Sequence, residues 1–303
     1  MEAIEQILNG ISIRQIETHI KRLEGIRHPT AAPEALEKAA DYIWEILTSY
    51  GYEMLTHYFD EGDRQYRNII ATLNGIQQSD KRVIVLAHYD TVSTSPGAND
   101  NASGVAALLE LGRIFELCRF RKTIQFVAVS LEEQMVEGEK GSPCLRGSRA
   151  LATHAHENGW DIEGVIDFEE IGYAGETVEQ LLPENFPLEK PEAGNFIAIV
   201  GNQNSAGLVN GYIQAIERYK LSLPYLPIVV PGNGEMFPDV RRSDHASFWD
   251  EGYPAIMITD TANLRTPHYH QPSDVLATLN LPFATEVCRA AGGLVLDLAI
   301  RIY

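Results

Sequence analysis

The stretch His88-Tyr89-Asp90 follows a continuous apolar run, Val83 to Ala87, and two further acidic segments come after it. The first is Gly97-Ala-Asn-Asp-Asn-Ala-Ser-Gly104, and the second, Glu132-Glu133, follows another apolar run. Continuous apolar runs of this length are typical of strands buried on both faces. Imidazole and carboxylate groups are the ligands of hydrolytic zinc sites. The order of these segments therefore indicates a metal-dependent hydrolase.

Strand-like and helix-like patterns alternate along the chain, without a repeat or a linker. Where apolar side chains recur at three- and four-residue steps, helices are predicted over 35–50, 103–118, 205–219 and 283–302. Apolar runs predict strands at 68–73, 83–87, 123–129, 164–169, 195–200, 228–230 and 255–259. We predict one α/β domain over residues 1–303, with a mostly parallel mixed central sheet flanked by helices on both faces. In such sheets the functional site lies outside the carboxyl ends of the strands.

Composition narrows the class of protein and of partner. The 303 residues include 24 basic and 42 acidic side chains, and the resulting net charge of −18 disfavours nucleic acid and anionic membranes. No run approaches the roughly 18 apolar residues of a membrane helix. The acidic N-terminal residues do not resemble a signal peptide. Three widely spaced cysteines without CxxC spacing are typical of reduced thiols, so we expect a cytoplasmic protein.

Several residues near the predicted strand ends have the chemistry of metal ligands. His88 and Asp90 leave the same face of a strand, so His88 can bind an ion while Asp90 fixes its other ring nitrogen. Asp100 lies in a turn of small residues, where its carboxylate could bridge two ions; a helix cap explains one Asp there but not the whole cluster. Glu132 and Glu133 are expected to point in different directions, one toward metal and one toward a water as general base.

Other candidate residues come later in the chain. Asp167 and Glu169 alternate within an apolar run, where a carboxylate is costly unless it is paired or ligated. Asp244-His245 opens a predicted helix, and the ordinary explanation is a helix cap beside a surface histidine. His270 supplies a second imidazole. The remaining histidines lie in polar surroundings and are interpreted as surface residues: His19, His28, His57, His154 and His156.

Taken in order, these segments resemble the M28 family of zinc peptidases, which includes co-catalytic dizinc aminopeptidases. The resemblance spans most of the chain. It rests on Ala87-His-Tyr-Asp90, Gly97 to Gly104, Glu132-Glu133, Glu169-Glu-Ile-Gly172, Ser243-Asp-His245 and Pro267-His-Tyr-His270. The resemblance implies a zinc-dependent exopeptidase fold with two zinc ions in each chain.

The resemblance also assigns the metal ligands position by position. His88 would bind the first ion, and Asp100 would bridge both. Glu133 and His270 would bind the second ion. The family often has Asp where this chain has Glu169, whose longer side chain would complete the first site.

The same resemblance implies further roles. Glu132 would be the general base, and Asp90 would orient the first imidazole. Tyr269 precedes the last ligand, and its hydroxyl would hydrogen-bond the developing oxyanion. Asp244 and His245, which match a family segment near the site, are expected to contact the substrate.

The implied function is an aminopeptidase that removes N-terminal residues from short peptides through attack of a metal-bridging water. Insertion-like stretches near 134–146 and 175–194 would form lids that shape specificity. Two alternatives share the fold: glutaminyl cyclase, which uses a single zinc ion, and carboxypeptidase, for which Arg241, Arg242 or Arg265 would bind a terminal carboxylate. A non-catalytic binding module is disfavoured because every expected ligand position holds a competent residue.

Overall fold

The computed structural model describes residues 2–133, 144–183, 186–299 and 301–302. Its strands are β1 (Glu53–Glu61), β2 (Arg64–Leu73), β3 (Gln78–His88), β4 (Arg119–Phe120), β5 (Lys122–Val129), β6 (Asp161–Glu169), β7 (Ile197–Asn202), β8 (Tyr225–Val230), β9 (Ala255–Thr259) and β10 (Arg301–Ile302). β4 and β10 form a two-stranded ribbon. The others form one sheet in the order β1-β2-β5-β3-β6-β9-β7-β8.

The sheet is mixed and mostly parallel in its centre, as predicted. β3 runs parallel to both β5 and β6, β6 runs parallel to β9, and β7 runs parallel to β8. The pairs β1-β2, β2-β5 and β7-β9 are antiparallel. Every strand predicted from an apolar run is present, and β9 has its predicted bounds.

The described helices cover both faces of the sheet. They are α1 (Glu2–Asn9), α2 (Ile13–Leu23), α3 (Pro33–Ser49), α4 (Gly104–Phe115), α5 (Arg146–Glu157), α6 (Ala206–Arg218), α7 (His245–Asp250) and α8 (Leu281–Ala299).

Alternate residues of β3 belong to different hydrophobic cores, one on each face of the sheet. Val83 and Val85 pack in the core that includes α2, α3, α4, α6 and α8, whereas Ile84 and Leu86 pack in the core that includes α5 and α7. Each such buried aliphatic side chain contributes about 1.5–3 kcal/mol.

The helices differ from the prediction in two ways. The predicted helices correspond to α3, α4, α6 and α8, but α8 ends at Ala299 because Arg301 and Ile302 pair with β4. The sequence patterns missed α1, α2 and α5.

Within the described residues, no helix is both long and apolar enough to cross a lipid bilayer.

Two histidines predicted to lie at the surface are instead buried, so that prediction is wrong for them. His19 and His28 are each 3% exposed, whereas His156 is exposed as predicted. His19 lies on the apolar face of α2, and its Nδ1 is 2.7 Å from Tyr42 Oη. His28 Nδ1 accepts a hydrogen bond from the backbone N–H of Ala31, just before α3.

The burial of His19 predicts a pH dependence of stability. Burial, and secondarily the Arg113 guanidinium, lowers the pKa of His19 from 6.5 to about 4. A lowered folded-state pKa means that neutral His19 stabilises the fold above pH 6.5, and that this stability is lost as the pH falls toward 4. The free energy of unfolding is measured with urea across this pH window. As the pH falls, it should decline less steeply in His19→Gln than in the parent protein, by up to about 1.4 kcal/mol per pH unit. His156→Gln, a change at an exposed position, is the control. An identical slope in His19→Gln and the parent protein would contradict the prediction.

Candidate metal centre

The candidate site lies at the carboxyl ends of β3, β5 and β6. His88 is the last residue of β3, and Glu169 is the last residue of β6. The Glu132-Glu133 pair begins three residues after β5 ends, and the positive φ of Leu131 (58°) turns the chain between them. The position agrees with the rule that open α/β sheets bind ligands beyond their carboxyl strand ends.

Asp100 is presented by a tightly hydrogen-bonded turn that leads into α4, and the peptide bond after it is cis. Asn101 Nδ2 donates to the carbonyl oxygen of Phe168 at 2.6 Å, which ties the turn to β6. The Asp274 carboxylate accepts the backbone N–H groups of Asn99 (2.9 Å) and Asp100 (3.1 Å). The backbone of the turn is thus held from two sides, and the Asp100 side chain does not cap the helix.

Two groups of three side chains converge around Asp100. His88 Nε2 lies 3.3 Å from Asp100 Oδ1 and 3.3 Å from Glu169 Oε2. His270 Nε2 lies 3.2 Å from Asp100 Oδ2 and 3.2 Å from Glu133 Oε1. In each group the potential ligand atoms all lie within 4.8 Å of one another. Asp100 belongs to both groups and offers a different oxygen to each.

The donor atoms fit metal ions. His88 Nε2, Asp100 Oδ1, Glu133 Oε1 and His270 Nε2 are buried and have no hydrogen-bond partner within the described part of the chain. Two ligands placed tetrahedrally about zinc at its usual bond lengths lie about 3.3–3.4 Å apart. The separations of 3.2–3.3 Å in the two groups are close to that value. Imidazole and carboxylate donors are also the usual ligands of catalytic zinc.

The pKa values at the site reflect an excess of negative charge. Burial acts to lower the pKa of His270, but the Glu133 and Asp100 carboxylates outweigh it and raise the pKa to about 10. Burial, with the charge of Asp100, raises the pKa of Glu133 to about 7. Burial also opposes ionisation of Asp100, yet the adjacent imidazoles of His270 and His88 hold its pKa well below the usual range. The carboxylates of this site therefore favour positive charge close to them.

Asp90 connects the first imidazole to the Glu132-Glu133 pair. Its Oδ1 lies 3.5 Å from His88 Nδ1. The same carboxylate accepts the backbone N–H groups of Glu132 at 3.2 Å and Glu133 at 3.1 Å. Asp90 therefore lies beside the first imidazole, but His88 Nδ1 has no hydrogen-bond partner within the described residues, so its orienting role stays a prediction. Its hydrogen bonds with the backbone of Glu132 and Glu133 were not apparent from the sequence.

Glu132 belongs to neither group of ligands, although it is 4% exposed and lies beside both. Burial raises the pKa of its carboxyl well above the ordinary value; His88 opposes this, and Glu133 and Glu169 add to it. A buried carboxylate with raised proton affinity and no ligand role is suited to accept a proton.

Of the two carboxylates that alternate at the end of β6, only one reaches the centre. Asp167 Oδ2 accepts hydrogen bonds from Ser243 Oγ (3.0 Å) and from the backbone N–H of His245 (2.9 Å). Glu169, one step farther along the strand, reaches His88 and also lies 2.7 Å from Ser243 Oγ. Glu169 therefore belongs to the first group, and its role as a ligand stays a prediction.

Asp244 and His245, the expected substrate contacts, are both completely buried. His245 Nε2 lies 2.9 Å from the carbonyl oxygen of Val240, and its ring packs edge-on against Trp249. This burial argues against a direct substrate contact for His245 and contradicts the alternative of a surface histidine. Asp244 does not cap α7 through its side chain, so the helix-cap explanation is also wrong. Burial raises the pKa of Asp244 well above its usual range, and the nearby Asp167 adds to the effect.

Tyr269 is held by a contact that the sequence did not reveal. Its ring stacks on His270 with centroids 3.7 Å apart, and its Oη lies 2.9 Å from Arg242 Nη2. Arginine can only donate, so the phenolic oxygen accepts this bond and its own hydrogen is free for another acceptor.

A largely apolar cavity, partly open to solvent, adjoins the centre at Glu169 and Tyr269 and encloses about 740 Å³ of empty space when the open solvent is included. Its lining includes Leu182, Pro183, Phe186, Phe196, Val200, Leu226, Ile228 and Met257. Part of the predicted lid at 175–194 thus lines the cavity. Of the other predicted lid, 134–146, residues 134–143 lie outside the described part of the chain.

Sequence comparisons identify a peptidase family. The model of peptidase family M28 matches residues 68–295. The chain is similar to the uncharacterized protein YfbL of Escherichia coli, with 32% identity over 292 residues, which covers 91% of this chain and 85% of that protein. It is also similar to leucine aminopeptidase 1 of Fusarium vanettenii, with 26% identity over 243 residues, covering 77% of this chain and 55% of that protein.

Solved structures share the fold. The LapA aminopeptidase of Legionella pneumophila matches with a TM-score of 0.73 and 21% identity, over 98% of this chain and 75% of that one. A glutaminyl cyclase of Macrostomum lignano matches with a TM-score of 0.76 and 17% identity, over 97% and 91%. These likenesses establish the fold alone, and the choice between the two chemistries depends on the site.

Proposed function

The chain belongs to peptidase family M28, and we propose that it is a zinc-dependent aminopeptidase that removes N-terminal residues from short peptides. The observation that carries the proposal is the pair of ligand groups that share Asp100, each with one imidazole and two carboxylates. These groups support two zinc ions in each chain, the first held by His88 and Glu169 and the second by Glu133 and His270. The similarity to a leucine aminopeptidase supports the same activity.

Glu132 is the proposed general base. When bound, the zinc ions polarise the scissile carbonyl and lower the pKa of water toward about 7. Glu132 takes the proton of the attacking water and passes it to the leaving amine. Asp90 holds the backbone N–H of Glu132, which keeps this carboxylate beside the centre without making it a ligand.

The surroundings of the centre favour a free N-terminus and an apolar first side chain. The buried carboxylates attract the ammonium group of a peptide. The cavity beside Glu169 is lined mainly by apolar side chains, and burial of a Leu or Phe side chain there contributes about 1.5–3 kcal/mol. We therefore propose a preference for large apolar N-terminal residues.

The arginines considered for a carboxypeptidase are mostly engaged elsewhere. Arg241 forms a double hydrogen bond with Asp250, at 2.8 and 2.9 Å. Arg265 is buried and donates to the carbonyl oxygen of Phe196 at 2.7 Å. Arg242 does line the cavity, but it donates to Tyr269. This arrangement favours aminopeptidase over carboxypeptidase activity.

A cytoplasmic location is also part of the proposal. Cys118, Cys144 and Cys288 all lie within the described residues, and no disulfide joins them. Reduced thiols are typical of that compartment. The proposed partner is a peptide substrate, and we expect no binding to nucleic acid or to membranes.

The function is tested with purified protein and aminoacyl-nitroanilide reporters. We expect about two zinc ions per chain, loss of hydrolysis on chelation and recovery with zinc. Leucyl and phenylalanyl reporters should be cleaved faster than glutamyl and lysyl reporters. N-acetyl-leucyl nitroanilide, in which the amine is blocked, is the matched control and should resist cleavage. Activity that persists without metal, cyclisation of N-terminal glutamine, or release of C-terminal residues would each overturn the proposal.

Variants of the acidic pair should separate the base from the ligand. Glu132→Gln removes the proton acceptor and should lower kcat by about 10²- to 10⁴-fold, with zinc content retained. Glu133→Gln removes a ligand and should weaken the binding of one of the two zinc ions. Elemental analysis and kinetics of the two variants measured side by side check the assignment. If Glu132→Gln lost zinc while Glu133→Gln kept it, the two roles would be exchanged.

Tyr269→Phe tests whether the phenol stabilises charge in the transition state. A fixed donor to an oxyanion is worth about 2.7–4 kcal/mol, so kcat/KM should fall about 10²- to 10³-fold with KM little changed. Zinc content and fold should be intact, because only a hydroxyl is removed. Activity within about twofold of the parent would mean that Tyr269 serves only to pack against His270.

A further inference from the structure

Arg27 is a buried arginine that lies outside residues 68–295, the part of the chain matched by the family model. It is 3% exposed. Its guanidinium donates to backbone carbonyls of two segments. Within its own segment the acceptors are Leu23 and Gly25 (2.8 Å for Gly25).

The other acceptors belong to the loop that joins His88 to Asp100. Nε donates to the carbonyl of Tyr89 at 2.7 Å, Nη1 to that of Pro96 at 3.0 Å and Nη2 to that of Gly97 at 3.1 Å. One side chain therefore hydrogen-bonds the loop just after His88 and again just before Asp100.

Backbone contacts strengthen this connection. The N–H of Arg27 donates to Thr91 Oγ1 at 2.9 Å, and the N–H of Thr91 donates to the carbonyl of Arg27 at 3.2 Å. Gly97 has a positive φ of 60°, and a Cβ there would lie 2.9 Å from Arg27 Nη2 and 2.2 Å from the carbonyl oxygen of Asp100. The turn that presents Asp100 is thus packed directly against the guanidinium.

Arginine suits this position for a geometric reason. The groups that accept hydrogen bonds from the guanidinium are neutral backbone carbonyls, which lie around this one planar group. A guanidinium presents five N–H donors in a fixed fork. Lysine carries the same charge on three donors around a single nitrogen, so it cannot reach all of these carbonyls together. The fork of N–H donors therefore holds the loop in a way that a lysine cannot reproduce.

We propose that Arg27 is a positioning residue for the metal centre, which fixes the 89–97 loop so that His88 and Asp100 meet at one ion. The inference rests on the proposed function, because it needs the two ligand groups to hold metal. Loss of an outer contact that orients ligands typically costs about 10- to 100-fold in metal affinity. We expect a loss of this size in Arg27→Lys, at both sites, because Asp100 belongs to both groups.

The experiment measures zinc affinity of the full chain by competition with a chromophoric chelator, so that it does not depend on catalysis. Arg113→Lys is the matched control. Arg113 also ties the N-terminal region to the rest of the chain, since it donates to the carbonyl of Gly10 and to Glu110, but it lies in the last turn of α4. Arg113→Lys should bind zinc within about twofold of the parent. A parent protein that bound no zinc would refute the proposed function itself, before the variants are compared.

Far-UV circular dichroism in chelator, and again after addition of zinc, separates positioning from folding. A folded Arg27→Lys with affinity lowered about tenfold or more supports the proposal. A variant that unfolds in chelator overturns it even if zinc restores the parent spectrum, because zinc binding stabilises the folded state of any variant by mass action. A folded variant with parent-like affinity overturns the proposal. A variant that stays unfolded with zinc also overturns it, since Arg27 would then hold the fold rather than the centre.

Discussion

A carboxylate buried away from water must be hydrogen-bonded, paired or bound to a cation, because its ionised form is otherwise strongly disfavoured. At the carboxyl ends of β3, β5 and β6 the chain collects a dense group of such carboxylates. Asp90 and Asp274 are satisfied by backbone N–H groups. Asp100, Glu133 and Glu169 instead face two imidazoles. The pKa of His270 is raised to about 10 by its carboxylate neighbours, which shows how strongly the arrangement attracts positive charge.

The two ligand groups differ in how the fold supports them. In the first group, His88 and Glu169 end two strands that are neighbours in the sheet, so their backbones are fixed by the parallel ladder. In the second group, Glu133 and His270 come from loops. Individual contacts hold them, such as the hydrogen bond from Thr94 Oγ1 to the carbonyl of His270 at 3.1 Å and that from the backbone N–H of Glu133 to Asp90 at 3.1 Å. Sites on regular elements are better preorganised than sites on loops, so the first group has the more rigid geometry.

The strand-end ligands could be predicted because apolar runs determine where the strands lie, and the residues next along the chain are then placed at the strand ends. The place of His88 followed from the end of an apolar run and the rule for open sheets. The choice of Glu169 over Asp167, which shares its face of the strand, also needed the resemblance to the peptidase family. Arg27 and Asp274 could not be found in this way, since their contacts with the Asp100 turn join segments about 70 and 175 residues apart. The burial of His19 did leave a local signal. It shares a helical face with Ile16, Ile20 and Leu23, but a histidine in a charged segment concealed the apolar period.

The metal centre and the apolar cavity are built by different parts of the same sheet. β3, β5 and β6 position the ligands, whereas side chains around β7, β8 and β9, together with Leu182 and Phe186, line most of the cavity. The two parts meet at Glu169, which ends β6 and faces both. Under the proposed function, a change in the cavity wall would alter which substrate side chain is accepted without moving His88 or Asp100. An aminopeptidase and a glutaminyl cyclase share this fold, which accords with function residing in the site rather than in the fold.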